Sequence, residues 1–427
     1  MSSLLKDLNE LVEKNIISAD TASQITNYYE NKKNSSPGRF SAVLAILGAL
    51  LLGSGLVLVI AHNWDMLGKL ARTIIAFVPL LLGQGLCIYT LLKQPGNRAW
   101  RESSSIILFF AVPVSISLIS QIYQVNGEMP AFLMTWILLT LPMVYIMNSG
   151  IVSLLVIALA TWYAGLIGYT KSEMPYQYLG IMALLFMHYY SYVKTPGSNF
   201  FHWHNWFIAI SLLVTLGTFV TDGYKEHEWT FIAYMALCSL YYIVGNTPFL
   251  KTQRLITNPF RLLGALGIII IFITWTFDWV WQSLNIFSSA PHLLKFNNPF
   301  VYLSFVMLAL CVYLIVKYYR DLITYSPFVF TAVVILCFKS PPLGMLIFNL
   351  WVLAIGVHYI RKGLLMDHLG FLNLGLLVIT ALALFRFFDS DIPFIWRGLI
   401  FISAGAGFFV ANYVLIKKRR LSKNNLS

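Results

Sequence analysis

In a chain dominated by apolar runs, the residues able to do chemistry are the few that can ionise or hydrogen-bond where those runs begin and end. Three groups qualify: Asn63, Trp64 and Asp65 with Arg72; Gln121, Tyr123, Gln124 and Glu128; and Arg386, Asp389 and Asp391 with Arg397. An ionisable group at mid-bilayer costs about 2.5–3.5 kcal/mol on insertion scales, so each one asks for a partner, a water-filled cavity or a function. Each group has a plain structural reading. Trp64 and Asp65 read as an interfacial anchor with a helix-end cap. The glutamines read as interhelix hydrogen bonds worth about 0.6–2 kcal/mol each, and Arg386 with Asp389, three apart, as a helix-end ion pair. The functional reading is that Asp65, Arg72, Gln121, Gln124, Glu128, Arg386, Asp389 and Arg397 line one outward cavity that binds a substrate. That needs the first, third and last spans to meet, and it gives Arg397 an acid partner in Asp65, Glu128 or Asp389. None of these residues reads as catalytic.

The elements that must position them follow from composition. Of 427 residues, 58% are hydrophobic and 11% charged, with a mean hydropathy of +0.73. Soluble domains carry about 25% charge. Apolar runs of about 18–22 residues match a helix crossing a bilayer core roughly 30 Å thick, and their continuity excludes a barrel of alternating strands. The expectation is an all-α, polytopic membrane protein with about 12–14 transmembrane helices. The segments 229–244 and 325–338 are the weakest of these.

Charge sets orientation. With the N-terminus inside, 21 of the 29 Lys and Arg fall on inner segments and 8 on outer ones, while the 17 acids divide 8 to 9. The inner face then carries +13 and the outer −1. That asymmetry is the positive-inside pattern, and it places both termini in the cytoplasm of a bacterial inner membrane. The formal charge of +12 is thereby explained by orientation and attraction to membrane lipids, with no nucleic acid as partner.

Four regions follow. Residues 1–33 read as a cytoplasmic helical hairpin. Leu4, Leu5, Leu8, Leu11 and Val12 form one stripe; Ser18 caps a second helix with Ala22, Ile25 and Tyr28 on its apolar side. A linker at 34–39 leads to the transmembrane domain at 40–416, and 417–427 is a basic cytoplasmic tail. The hairpin either lies against the membrane domain or docks a protein partner. Pro79, Pro113 and Pro142 in three successive spans would free backbone carbonyls there. Asn349, His358 and Asn373 lie deep in spans, and His202-Trp203-His204 has the wrong spacing for two ligands on one helix face, so it reads as interfacial packing. Cys87, Cys238, Cys311 and Cys337 read as small core residues. No phosphate-cradling loop, metal site, cofactor motif or nucleophile elbow is present.

Leu11-Val12, Asn15-Ile16-Ile17-Ser18, Ala22, Ile25 and Tyr28-Tyr29, followed by a glycine-rich span ending in Asn63-Trp64-Asp65, resemble the uncharacterised bacterial membrane proteins grouped as domain of unknown function 2157. Gln121-Ile122-Tyr123-Gln124, Arg386-Phe387-Phe388-Asp389 and Arg397-Gly398 look similar to that group as well. The resemblance implies an inner-membrane protein with a cytoplasmic helical head, and it supplies no catalytic residues. The functional expectation is a transporter or flippase-like protein with an outward-facing polar cavity. The alternatives are a scaffold or sensor acting through its head, and a membrane enzyme acting on a lipid-linked envelope substrate with Asp65, Glu128 and Asp389 as acid or base. The reading favours a non-enzyme.

Overall fold

Interior hydrogen bonding dictates the secondary structure. A backbone in hydrocarbon must satisfy its own N–H and C=O groups, and a single segment does so only as a helix. The structure, a computed structural model, describes residues 17–34, 64–219, 227–286, 299–318, 320–337 and 340–387, with a few isolated residues besides; among them all regular structure is helical. The helices are α1 (Ala19–Asn34), α2 (Lys69–Lys93), α3 (Arg98–Tyr123), α4 (Met129–Ile146), α5 (Gly150–Gly165, prolonged by a π turn Leu166–Thr170), α6 (Tyr176–Val193) and α7 (Asn199–Leu216). There follow α8 (His227–Gly245), α9 (Pro259–Thr274), α10 (Asp278–Ile286), α11 (Pro299–Lys317), α12 (Ser326–Leu336), α13 (Pro341–Leu365) and α14 (Leu369–Phe387). Six are long and apolar enough to cross a membrane: α2, α3, α4, α5 with its π turn, α13 and α14. Four further apolar helices are shorter, among them Trp229–Gly245 and Leu322–Leu336.

The starts of these helices are written in short polar residues. Ser18 accepts from the Thr21 amide at 3.2 Å and opens α1. Asn97 takes the Ala99 and Trp100 amides ahead of α3, Ser198 takes the Phe201 amide ahead of α7, and Asn258, followed by Pro259 at the first helical position, opens α9.

By contact, the chain divides into two units: residues 1–78 with 121–123, and residues 79–120 with 124–427. In the first, Tyr123 meets the start of α2, its hydroxyl 3.2 Å from the Thr73 hydroxyl and its ring 4.4 Å beneath the Lys69 ammonium.

In the second unit, helices approach through glycine, as expected where lipid removes the hydrophobic drive between helices and close contact must replace it. A Cβ at Gly264 would overlap the backbone of Cys238 and Tyr242, locking α9 onto α8. One at Gly375 would overlap the Gly356 carbonyl and the Ile360 amide, locking α14 onto α13. Helix α8 is buried on every side, with Trp229, Ile232, Ala233, Met235, Ala236, Cys238, Tyr241, Tyr242 and Ile243 all inside. Its weakness as a span is one of length: Trp229–Gly245 falls among the shorter apolar helices.

The three prolines expected to free backbone carbonyls lie inside continuous helices α2, α3 and α4. At Pro113 the reason is visible. The ring removes the N–H that would bond Phe109 O, and that carbonyl instead accepts Nε1–H of Trp136 from α4 at 3.0 Å. All four cysteines are buried and free.

Candidate functional site

The residues expected to form an outward cavity take separate partners where the structure describes them. Arg72, in the first unit, donates from Nε to Leu67 O at 2.8 Å and lies 5.9 Å over the Trp64 ring. Gln121 is exposed, and Gln124, also exposed, ends α3 in the left-handed conformation at φ 54°. Glu128 precedes α4 and pairs with Lys171 after α5, and the bond to Glu128 holds the Lys171 ammonium above its usual value. Arg386 is buried; it donates to Thr276 Oγ1 at 2.8 Å and stacks 4.5 Å from the Phe277 ring, tying α14 to the end of α9. The side chain of Asp65, and Asp389, Asp391 and Arg397, lie outside the described residues.

The histidines divide. His204, expected at an interface, is fully buried. Its Nδ1 faces Phe200 O at 2.7 Å and its Nε2 faces Ser153 Oγ at 3.0 Å. A carbonyl accepts only, so Nδ1 carries a hydrogen, and the ring ties α7 to Ser153 of α5. Asn349 bonds its own helix at Met345 O.

His358 is different. Its Nε2 lies 2.7 Å from Oδ1 of Asp321, and Lys362, one turn further along α13, donates to Oδ2 at 2.6 Å. Tyr359, between them, donates its hydroxyl to Oδ2 at 3.4 Å and meets the hydroxyl of Tyr242, from α8, at 2.6 Å. One carboxylate therefore gathers three side chains of α13 and is wired through two phenols to the buried helix α8.

Local sequence delivers Asp321 to that point. It is the cap of the 3-10 turn Leu322–Tyr325, accepting the Leu322 amide at 2.8 Å, while its own N–H reaches Thr324 Oγ1. Only 3% of its side chain is exposed, against 37% for His358 and 23% for Lys362. Burial pushes the carboxyl up, and the Lys362 bond and charge, the Leu322 amide and His358 more than offset it, so the carboxyl sits below its ordinary value. One buried acid thus accepts from an ammonium and lies within hydrogen-bond reach of an imidazole, both carried by α13.

Residues 9–153 match the family model described as "Predicted membrane protein (DUF2157)". Over that segment the chain is similar to this family. It is an integral, multi-pass membrane protein, as the family and the six long apolar helices both require. No curated protein and no solved structure matches the chain. The Asp321 cluster lies outside the matched segment, so the family says nothing of it.

Sequence reasoning did single out His358, and its spacing of four from Lys362 already put both on one face of α13. What it lacked was the acid. Asp321 entered only as one charge on an inner loop, although Asp321-Leu322-Ile323-Thr324 carries the capping pattern that aims such a carboxylate at a helix.

Proposed function

We propose that the chain is a transporter or flippase-like protein of the bacterial inner membrane, with both termini cytoplasmic, and that the Asp321 cluster is its movable charge. The observation that carries this reading is a buried carboxylate shared by His358 and Lys362 and linked through Tyr359 and Tyr242 to the core helix α8. Ionisable groups are kept within or beside membrane helices where they serve ion or substrate movement. Among the described residues, Asp321 faces His358, Tyr359 and Lys362 from α13, with Tyr242 beyond them, so a cation that displaces Lys362 shifts the tie between α13 and the α11–α12 connection.

The test is flux in proteoliposomes against panels of lipids and envelope precursors. The expected result is saturable movement of one class, reduced at least tenfold in Asp321→Asn and His358→Gln while both variants remain monodisperse. A chain that moves nothing across the panels, or variants that move as much as the parent, would refute the reading. In the first case a scaffold acting through residues 1–33 gains support.

A further inference from the structure

A cavity of about 310 Å³ opens where the α2–α3 turn, the α4–α5 turn and the end of α6 come together. Its polar wall is Arg98, Arg101, Asn148, Ser191, Tyr192 and Thr195. Both arginines come from the first turn of α3 and both are held in place. Arg98 lies with its guanidinium 4.3 Å from the Phe200 ring, a stacking contact that occupies the flat face and leaves the N–H edges for another acceptor. Arg101 spends Nε on Met147 O at 2.8 Å, the carbonyl that ends α4, and its two terminal amines are not used there.

Neither cation is neutralised by a carboxylate among the described residues. The acid next in sequence, Glu102, is buried and committed elsewhere: it accepts from Ser149 Oγ, from the Gly150 amide at 2.9 Å and from the Ile151 amide at 3.1 Å, closing the start of α5. The free amides at the start of α3 do not provide the attraction either, because Asn97 already takes two of them. Two positioned guanidinium groups, with hydroxyls from Ser191, Tyr192 and Thr195 around them, therefore form a cationic cavity.

We propose that this cavity binds a phosphate group. Several acceptor oxygens around one centre match two guanidinium forks, which bind phosphate by paired, charge-assisted hydrogen bonds. The volume is enough for the phosphate and the first atoms of a headgroup or a small ester. Its setting is the membrane interface on the face assigned inward: Trp100 and Tyr190, exposed, and Lys93 and Lys194 are close in sequence to its lining residues. The phosphate is carried by an anionic lipid or by a soluble phosphate compound. This inference is independent of the transport reading and of the Asp321 cluster.

The experiment uses the full chain in a maltoside detergent, with short-chain phosphatidylglycerol and inorganic phosphate as probes and tryptophan fluorescence as readout. Saturable binding of at least one probe is expected, weakening as sodium chloride is raised because the site is open to solvent. Arg98→Gln, at an exposed position, is expected to weaken binding about tenfold, equivalent to about 1.4 kcal/mol, without changing the melting temperature. Lys93→Gln, outside the cavity wall, is expected to leave affinity unchanged. Binding of the lipid alone assigns the site to a headgroup; displacement of the lipid by inorganic phosphate assigns it to the phosphate itself. No saturable binding of either probe, or an Arg98→Gln chain that binds as tightly as the parent, overturns the proposal.

Discussion

The bond from Trp136 to the carbonyl that Pro113 leaves open offers a double substitution whose sign is set by geometry. Phe109 is 1% exposed, so its carbonyl has no water to fall back on. Trp136→Phe keeps an aromatic ring near Phe109, Phe110 and Phe132 but removes the only donor that α4 supplies to that oxygen. In a soluble core an orphaned carbonyl costs about 1–3 kcal/mol. Between membrane helices, hydrogen bonds measured by double-mutant cycles average about 0.6 and reach about 1.7 kcal/mol, because the unfolded chain in lipid also finds partners. The lower scale governs here, and Trp136→Phe is expected to cost about 1–2 kcal/mol, part of it lost ring contact.

Pro113→Ala restores the N–H four residues beyond Phe109, so the carbonyl regains an acceptor's partner within α3. The cost of Trp136→Phe measured in the Pro113→Ala background should therefore shrink by about 0.6–1.7 kcal/mol. Reversible unfolding in mixed detergent micelles, followed by circular dichroism for the four chains of the cycle, reads that coupling. If the two substitutions add to within about 0.3 kcal/mol, the usual result for independent sites, the Trp136 bond is not what lets α3 run through Pro113.

Gly375→Ala should destabilise the chain by about 1–3 kcal/mol through overpacking against the Gly356 carbonyl, whereas Gly180→Ala, with nothing within 4 Å, should be neutral or slightly stabilising in the same unfolding assay. The Asp321 carboxyl titrates below its ordinary value, so its stabilising ties are fully present above about pH 4 and are lost as pH falls through the lower folded value. Melting temperatures measured down the acid range should therefore decline more steeply in the parent than in Asp321→Asn, which starts lower at neutral pH because removing one partner of a buried pair leaves the other unmatched. Asn425→Cys in an otherwise cysteine-free chain should be reached by an impermeant thiol reagent only after the membrane is opened. Labelling in intact cells would reverse the assigned orientation.

Much of the architecture was legible because lipid makes the backbone's demands uniform: continuous apolar runs could only be helices, and Ser18 announced the start of α1. Helix α8 was harder to read as a span because its apolar stretch is short for a bilayer core, Trp229–Gly245 falling among the shorter apolar helices. The outer residues show a different limit. Counting Lys and Arg assigns residues to two faces but not to partners: in the structure Glu128 meets Lys171, Arg386 meets Thr276, Asp321 meets Lys362 and Arg101 meets Met147.

Membership of a face, however, is one coordinate, and adjacency within a face needs two more. Those come from which helices lie side by side, and the close approaches that decide it, Gly264 on Cys238 and Gly375 on Gly356, depend on glycines whose partners lie about 20 or more residues away along the chain. Glu128 and Arg386 share a face and yet hold different partners for this reason. Asp321 illustrates the converse. Its acid counted as one inner charge among eight, and only the placement of the α11–α12 connection against α13 turned it into the most connected ionisable group among the described residues.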